Sequence, residues 1–335
     1  MSRRRFLIIG CGSIGKRHLG NLQTLGAGEI DLIAFDPRAD RRDEVNAKFG
    51  SEVETVGDLK DAWRHRPDVA FITAPTSMHL PIALIAAKHR CHLFIEKPLS
   101  HDMTDVDKLI EIVKREGLVT LVGCNMRFHP GVAAVKRWVE AGAIGRIVSA
   151  RAEVGQYLPD WHPWEDYRQG YSARRDLGGG AILDCIHEID YMRWLFGDAR
   201  SVACLAGKRS RLEIDVEDTA AILVDFASGL IGEIHLDYIQ RAANRGCVVI
   251  GDEGTIRWSI ADGANLYSPT TQSWTTEAHP EGWQANQMYL DELAHFLDCL
   301  DGKAQSLQDV EQGAKTLALA LAAKRSASER VFVAL

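Results

Sequence analysis

Nothing in this chain approaches the roughly 20 consecutive apolar residues that a helix needs to cross a bilayer, so a membrane partner is excluded. There is no basic excess either. Lys and Arg number 39 against 46 Asp and Glu, the formal net charge is −7, and no basic stripe offers itself to a phosphate backbone. Nucleic acid is therefore excluded as a partner. The seven cysteines, at 11, 91, 124, 185, 204, 247 and 299, are odd in number, scattered and free of CxxC pairs. That pattern argues against a disulfide framework or a zinc site and for the reduced thiols of a cytoplasm. No HExxH and no Cys/His cluster suggests a metal. Met1-Ser2-Arg3-Arg4-Arg5 carries the charge that opens a signal peptide, yet only Phe6-Leu7-Ile8-Ile9 follows before Gly10. This is too short for a signal peptide's apolar core. It reads as a first buried strand with a basic lead-in, and a cytoplasmic location is expected. No internal repeat or low-complexity linker is visible.

What is present is a chain of 335 residues, 46% hydrophobic and 25% charged, long for one core and suited to two domains. The stretch "FLIIGCGSIGKRHLGNL" sets an apolar strand before Gly10-Cys11-Gly12-Ser13-Ile14-Gly15 and a helical pattern after it. This is GxGxxG in the context it needs. Gly10 permits the turn, Gly12 lets the backbone approach a pyrophosphate, and Gly15 allows close helix–strand packing. The anion then meets the free N–H groups and positive dipole end of a helix. The next strand, "IDLIAFDP", ends in Asp36, 21 residues beyond Gly15, where a carboxylate accepts hydrogen bonds from the adenosine ribose. It repels a 2′-phosphate and so points to NAD. Arg38 offsets that repulsion and leaves NADP open. Asp36 reads equally as a helix N-cap before Pro37, and both roles can coexist.

Strands and amphipathic helices go on alternating through "DVAFITAP", "SMHLPIALIAAKHR", "CHLFIEKP", "MTDVDKLIEIVKREG" and "LVTLVGCN". The pattern predicts an α/β domain over 1–124, a doubly wound parallel sheet with helices on both faces. Glu96-Lys97-Pro98 closes one strand, and ligands gather at such carboxyl ends. On the residues alone Lys97 reads first as a solvated loop lysine.

After Asn125 the texture changes. A helix, "PGVAAVKRWVEAG", and a strand, "GRIVSARAEVG", precede an aromatic loop, "YLPDWHPWEDYRQGYSARRDLGGG". Several strands then follow without intervening helices, and Phe226–Leu230 marks a hairpin turn. This predicts an α+β domain over 125–305 with an open, mainly antiparallel sheet. Helices are expected at about 286–300 and 306–326. In the aromatic loop Tyr157, Trp161, Trp164, Tyr167 and Tyr171 accompany His162 and Arg168. Rings with polar tips suit a sugar, and equally they plug the gap beneath a long loop.

The stretch "GGGAILDCIHEID" (178–190) predicts a helix over 181–196, capped by Gly197. Asp184, His187, Glu188 and Tyr191 share one stripe at three- and four-residue steps, and Asp190, three residues beyond His187, is placed to orient the imidazole. A lone helical histidine is usually structural. Two carboxylates on its stripe bring the catalytic reading level with that one.

Taken in order, the Gly10–Gly15 cradle, Glu96-Lys97-Pro98, and a glycine run with Asp184, His187 and Asp190 resemble the glucose–fructose oxidoreductase / inositol dehydrogenase family. The likeness extends to "TAPTSMH" (73–79), "NMRFHP" (125–130) and "DYMRWLFG" (190–197). It implies an N-terminal Rossmann domain and a C-terminal α/β domain whose open sheet often mediates oligomers. A homo-oligomer, dimer or tetramer, follows. It also implies a final segment, 306–335, returning to the first domain, and a cis Lys97–Pro98 peptide. The implied cofactor is NAD, with NADP as the alternative, expected to be held by Gly10, Gly12, Ser13, Ile14, Gly15, Asp36, Arg38, Thr73, Pro75, His79, Glu96, Lys97 and Asn125. Lys97, Asp184 and His187 are the implied catalytic set. Arg127, Trp161, Trp164, Tyr167 and Arg168 join them as contacts of a small sugar-like substrate. One departure is visible: Asp184 and His187 stand three residues apart, where many members have four, so the carry-over to His187 is the firmer.

The expected activity is hydride transfer between nicotinamide and a secondary alcohol or ketone of a sugar, cyclitol or sugar derivative. His187 would act as general acid/base, Lys97 would stabilise charge on the reacting oxygen, and Asp184 would orient the substrate or the lysine. The alternatives are a reductase for a nucleotide-linked keto-sugar or imine, and a catalytically silent nucleotide- or sugar-sensing regulator of the same fold.

Overall fold

The computed structural model describes residues 3–26 and 28–335; Met1 and Ser2 of the basic lead-in lie outside the described residues. The chain divides into two compact units. The first is the stretch up to Gly123 together with Ala285–Ala314, and the second is Cys124–Gln284 with Lys315–Leu335.

The first unit alternates strand and helix: β1 (Arg4–Ile9), α1 (Ser13–Leu25), β2 (Ile30–Phe35), α2 (Ala39–Phe49), β3 (Val53–Val56), α3 (Leu59–Arg64), β4 (Val69–Ile72), α4 (Thr76–Lys88), β5 (His92–Glu96), α5 (Val106–Glu116) and β6 (Thr120–Gly123). All neighbouring strands pair parallel, in the order β3-β2-β1-β4-β5-β6. This is the expected Rossmann sheet. Helices cover both faces of such a sheet, so its central strands read as unbroken apolar runs. Phe6, Leu7, Ile8 and Ile9, like Val69–Ile72, are accordingly buried. Phe71 stacks on Phe94 at 4.5 Å, and Phe296 meets both rings edge-on. Phe296 lies on α9 (Gln287–Leu300), a segment that groups with this unit despite its distance along the chain.

The second unit contains α6 (Pro130–Glu140), β7 (Ile147–Gly155), α7 (Ala181–Asp184), α8 (Ile186–Phe196), β8 (Ala199–Gly207), β9 (Thr219–Phe226), β10 (Ile231–Asp237), β11 (Asn244–Gly251), β12 (Thr255–Ser259), β13 (Gly263–Ser268), β14 (Ser273–Glu277) and β15 (Val333–Ala334). They build a nine-stranded sheet, β14-β13-β12-β11-β7-β10-β9-β8-β15. Every pairing is antiparallel except β7 with β10, so the sheet is mixed and mainly antiparallel, as expected. Burial alternates along its strands. Ala150, Ala152, Ile222, Val224, Ile234, Leu236 and Val249 face the core. The other face leaves Leu205 71%, Ile231 59%, Leu223 50% and Ile250 46% exposed. A hollow of about 460 Å³ lined by Arg151, Glu153, Arg257 and Trp274 opens among these strands. The expected hairpin turn is there, joining β9 to β10, with the Gly229 N–H donating to Phe226 O.

Three elements depart from expectation. α9, expected within the second domain over 125–305, groups with the first unit. The single helix over 181–196 is broken at Cys185 (φ −88°, ψ 34°) into α7 and α8. The apolar period runs through the break unaltered, and hydrophobic spacing therefore carries no sign of it. The last helix, α10, is Val310–Glu329 rather than 306–326, and only its first turn groups with the first unit. There the Val310 N–H donates to Thr120 Oγ1. Further along, Thr316, Lys324 and Ser326 bond within the second unit.

Candidate active site

The sheet order reverses between β1 and β4, and in doubly wound sheets the carboxyl edge at that point receives the ligand. Three segments meet there: the glycine loop after β1, Thr73-Ala74-Pro75 after β4, and Glu96-Lys97-Pro98 at the end of β5. Gly10 has φ +107°. A Cβ on Gly15 would lie 2.0 Å from Gly10 O, whereas a Cβ on Gly12 would meet no atom within 4 Å. The cradle is thus tight below and open above. α1 begins at Ser13 with no acidic residue in its first turn, and its first main-chain bond is that of Lys16 to Gly12 O. The preceding N–H groups and the dipole are available to an anion.

Neighbouring side chains hold this loop in shape. The Asp36 carboxylate accepts from the Cys11 N–H at 2.8 Å and the Arg38 N–H at 2.9 Å. It is not the N-cap of α2, a place taken by Arg38. Thr73 Oγ1 donates to Gly10 O at 2.6 Å. His79 lies inside, Nδ1 2.7 Å from Pro98 O and Nε2 2.9 Å from Ala74 O, and burial pushes its pKa down. It braces the turns after β4 and β5 against each other. Glu96 is 2.7 Å from His18 Nε2 through Oε1, while its Oε2 accepts the Lys97 N–H at 3.2 Å. The Lys97–Pro98 peptide is cis, and Lys97 is half-buried.

In the second unit, Asp184, His187, Glu188 and Asp190 are all buried. Gly180 (φ +110°) and Gly179, whose Cβ would sit 2.2 Å from Tyr171 O, bring the loop tightly onto the start of α7. The Asp184 carboxylate accepts the Tyr171 hydroxyl at 2.5 Å and the Tyr238 hydroxyl at 3.2 Å. Burial raises the Tyr238 phenol well above its ordinary range, so it stays a donor. Glu188 is paired with Arg245 at 2.8 and 3.1 Å. Arg127 grips Asp190 through two bonds of 2.8 and 2.9 Å, and Thr316 donates to it at 3.1 Å.

Residues 4–124 match the oxidoreductase family with an NAD-binding Rossmann fold, and residues 132–257 match the GFO/IDH/MocA C-terminal domain. The chain belongs to this family. Its curated relatives include myo-inositol 2-dehydrogenase of Thermotoga maritima, 29% identical over 97% of both chains. Another is scyllo-inositol 2-dehydrogenase (NAD(+)) of Bacillus subtilis, 26% identical over 92% of this chain and 89% of that one. A levoglucosan dehydrogenase solved with NADH and levoglucosan shares the fold, with a TM-score of 0.87 at 22% identity over 99% of each chain.

For a family member the cradle fits the cofactor: a dinucleotide's pyrophosphate needs close backbone approach over Gly12, and that space is clear. Ser13 is exposed and Ile14 half-buried beside it. The other candidates separate by position. Trp161 meets Tyr238 edge-on at 5.4 Å and donates to Gln156 O, so it joins the Asp184 group. Trp164 is 74% exposed. Tyr167 accepts the Glu213 N–H, and Arg168 pairs with Asp166 and Glu213 at the surface. Arg127 and Asn125 are interior, Arg127 lying beside Trp194. The residues not singled out beforehand are Tyr238, Tyr171 in its role as donor to Asp184, and Arg245. Tyr238 follows β10 by one residue, and no local pattern marks it as a partner 54 positions from Asp184.

Proposed function

We propose that the protein is an NAD-dependent dehydrogenase acting on a secondary alcohol of a sugar or cyclitol, or the reverse reductase. The observation that carries this reading is one sheet edge in the first unit. There the open Gly12 cradle, Asp36 and the strand-end Lys97 stand on adjacent parallel strands or one strand further along. NAD, when bound, supplies the hydride acceptor. The protein's own groups manage the substrate oxygen and its proton. Lys97, its backbone ordered by Glu96, donates a hydrogen bond to the reacting oxygen and stabilises the charge that grows there. His187 takes the hydroxyl proton in oxidation and returns it in reduction. Asp184, its two oxygens already receiving the Tyr171 and Tyr238 hydroxyls, positions the substrate's neighbouring hydroxyls. Trp161 offers a ring face to the sugar's CH groups. The sugar-like substrate is supported by the two inositol dehydrogenases, which align along nearly the whole chain.

The test is a panel of sugars and cyclitols assayed by nicotinamide absorbance, with wild type, Lys97→Met and His187→Asn. Turnover on at least one member is expected. Each substitution should lower kcat/KM by about 10²–10³-fold while NADH still binds. Turnover unaffected by either substitution overturns the assignment of roles. NAD binding without turnover on any polyol or keto-sugar overturns the enzyme reading.

The reading extends to a homo-oligomer formed through the outer face of the second unit's sheet, where Leu205, Leu223, Ile231 and Ile250 are exposed and a second copy would cover them. It extends also to a cytoplasmic setting, supported by seven buried cysteines scattered along the chain without CxxC pairs. Among the described residues no helix is long and apolar enough to cross a membrane.

A further inference from the structure

The stretch after β2, Asp36-Pro37-Arg38-Ala39-Asp40-Arg41-Arg42-Asp43-Glu44, is dense in charge of both signs. Arg42 is committed to main chain, donating to Asp36 O at 2.8 Å and Pro37 O at 3.1 Å. Asp36 holds the glycine loop through the Cys11 N–H and holds the Arg38 N–H. Arg38 therefore has its backbone on Asp36, while its guanidinium forms a two-point fork with Asp40: Nε to Oδ1 at 3.1 Å and an Nη to Oδ2 at 2.5 Å. That bond raises the guanidinium's pKa and lowers the carboxyl's, so both stay charged.

A 2′-phosphate on the adenosine ribose carries between one and two negative charges at neutral pH and is recognised best by a free arginine fork. Here Arg38 is the cation nearest in sequence to Asp36, and its fork is already closed on a carboxylate. We infer that Asp40 is a specificity-determining residue: by engaging Arg38 it withholds the guanidinium from a 2′-phosphate and restricts the site to NAD. The neighbouring cations follow the same rule, with Glu44 drawing both Lys16 and Arg41. Asp40 acts through Arg38 rather than by touching the cofactor. The inference rests on the reading that the Gly10–Gly15 loop and Asp36 receive the adenosine half of the dinucleotide.

The experiment titrates wild type, Asp40→Asn, Asp40→Glu and the double variant Asp40→Asn/Arg38→Ala with NADH and NADPH, reading nicotinamide fluorescence at low salt. Asp40→Asn should raise the affinity for NADPH relative to NADH by about fivefold, the scale of one exposed charge pair. The gain should shrink as salt screens it. Asp40→Glu, which keeps the carboxylate, should retain the wild-type preference, and removing Arg38 should cancel the gain. A preference unchanged in Asp40→Asn, or a gain that survives the loss of Arg38, overturns the inference while NADH binding leaves the cofactor reading standing. A wild type that binds neither dinucleotide overturns both.

Discussion

The glycine loop shows how much one side chain decides. At Gly15 an added methyl would sit 2.0 Å from Gly10 O, inside any allowed contact, and the opposing atom is main chain that cannot swing away. Gly15→Ala must therefore push α1 off the loop. The expected cost is ~1–3 kcal/mol of stability, as for other overpacked sites, with NADH affinity falling more than tenfold. Denaturant midpoints and a fluorescence titration check both. A variant with wild-type stability and affinity would show that the loop does not depend on this contact. Most of the loop's logic was legible beforehand, because GxGxxG is a local pattern with local causes. The role of Asp190 was not. Its spacing to His187 marks it as an orienting carboxylate, but gives no sign that Arg127, from 63 residues away, bonds both of its oxygens. A buried carboxylate goes to whichever cation the fold brings to it, since leaving either charge unpaired is costly.

Helices and strands were legible where burial imposes a period, and illegible where a turn interrupts the chain without changing that period. The break at Cys185 is of the second kind. So is the cap of α6: His129, wholly buried, accepts the Gly131 N–H through Nδ1 at 3.1 Å and is surrounded by Trp258, His279 and Trp283 at 5.0–5.1 Å. Burial, helped by His279 and Arg245, pushes its pKa down to about 4. Its folded pKa lies below the unfolded value of about 6.5, so between those values the unfolded chain binds the extra proton, and stability falls as pH falls through that window. The contribution lost by pH 5 is about 2 kcal/mol. Urea unfolding at pH 7 and pH 5 measures it, with His129→Asn as the comparison that keeps a capping acceptor. An equal pH dependence in the two proteins would assign the effect to other groups.

For the whole molecule, the outer face of the nine-stranded sheet yields a prediction about assembly. Its exposed leucines, Leu205 on β8 and Leu223 on β9, stand two register rows apart on the same face of adjacent strands: Leu205 pairs with Ala221, and Ala203 with Leu223. If a second copy covers this face, Leu205→Lys/Leu223→Lys places two like charges against apolar surface and splits the assembly. Sedimentation equilibrium should then find a multimer for the wild type and a monomer, or a weaker concentration-dependent species, for the variant. A wild type that is monomeric throughout, or a variant that assembles unchanged, removes this face from consideration.

Local chemistry alone settled the Rossmann alternation, the glycine cradle, the Asp36 terminus of β2 and the texture change after Asn125, because strand burial, helix period and tight turns are written within a dozen residues. The fold added whatever depends on residues far apart in the chain. It put α9 with the first unit, set Tyr171 and Tyr238 on Asp184, and gave Asp190 to Arg127. The reason is electrostatic as much as geometric. A buried polar group must find its partner, and among many candidates of suitable type it is chain topology, not spacing in the sequence, that selects which one arrives.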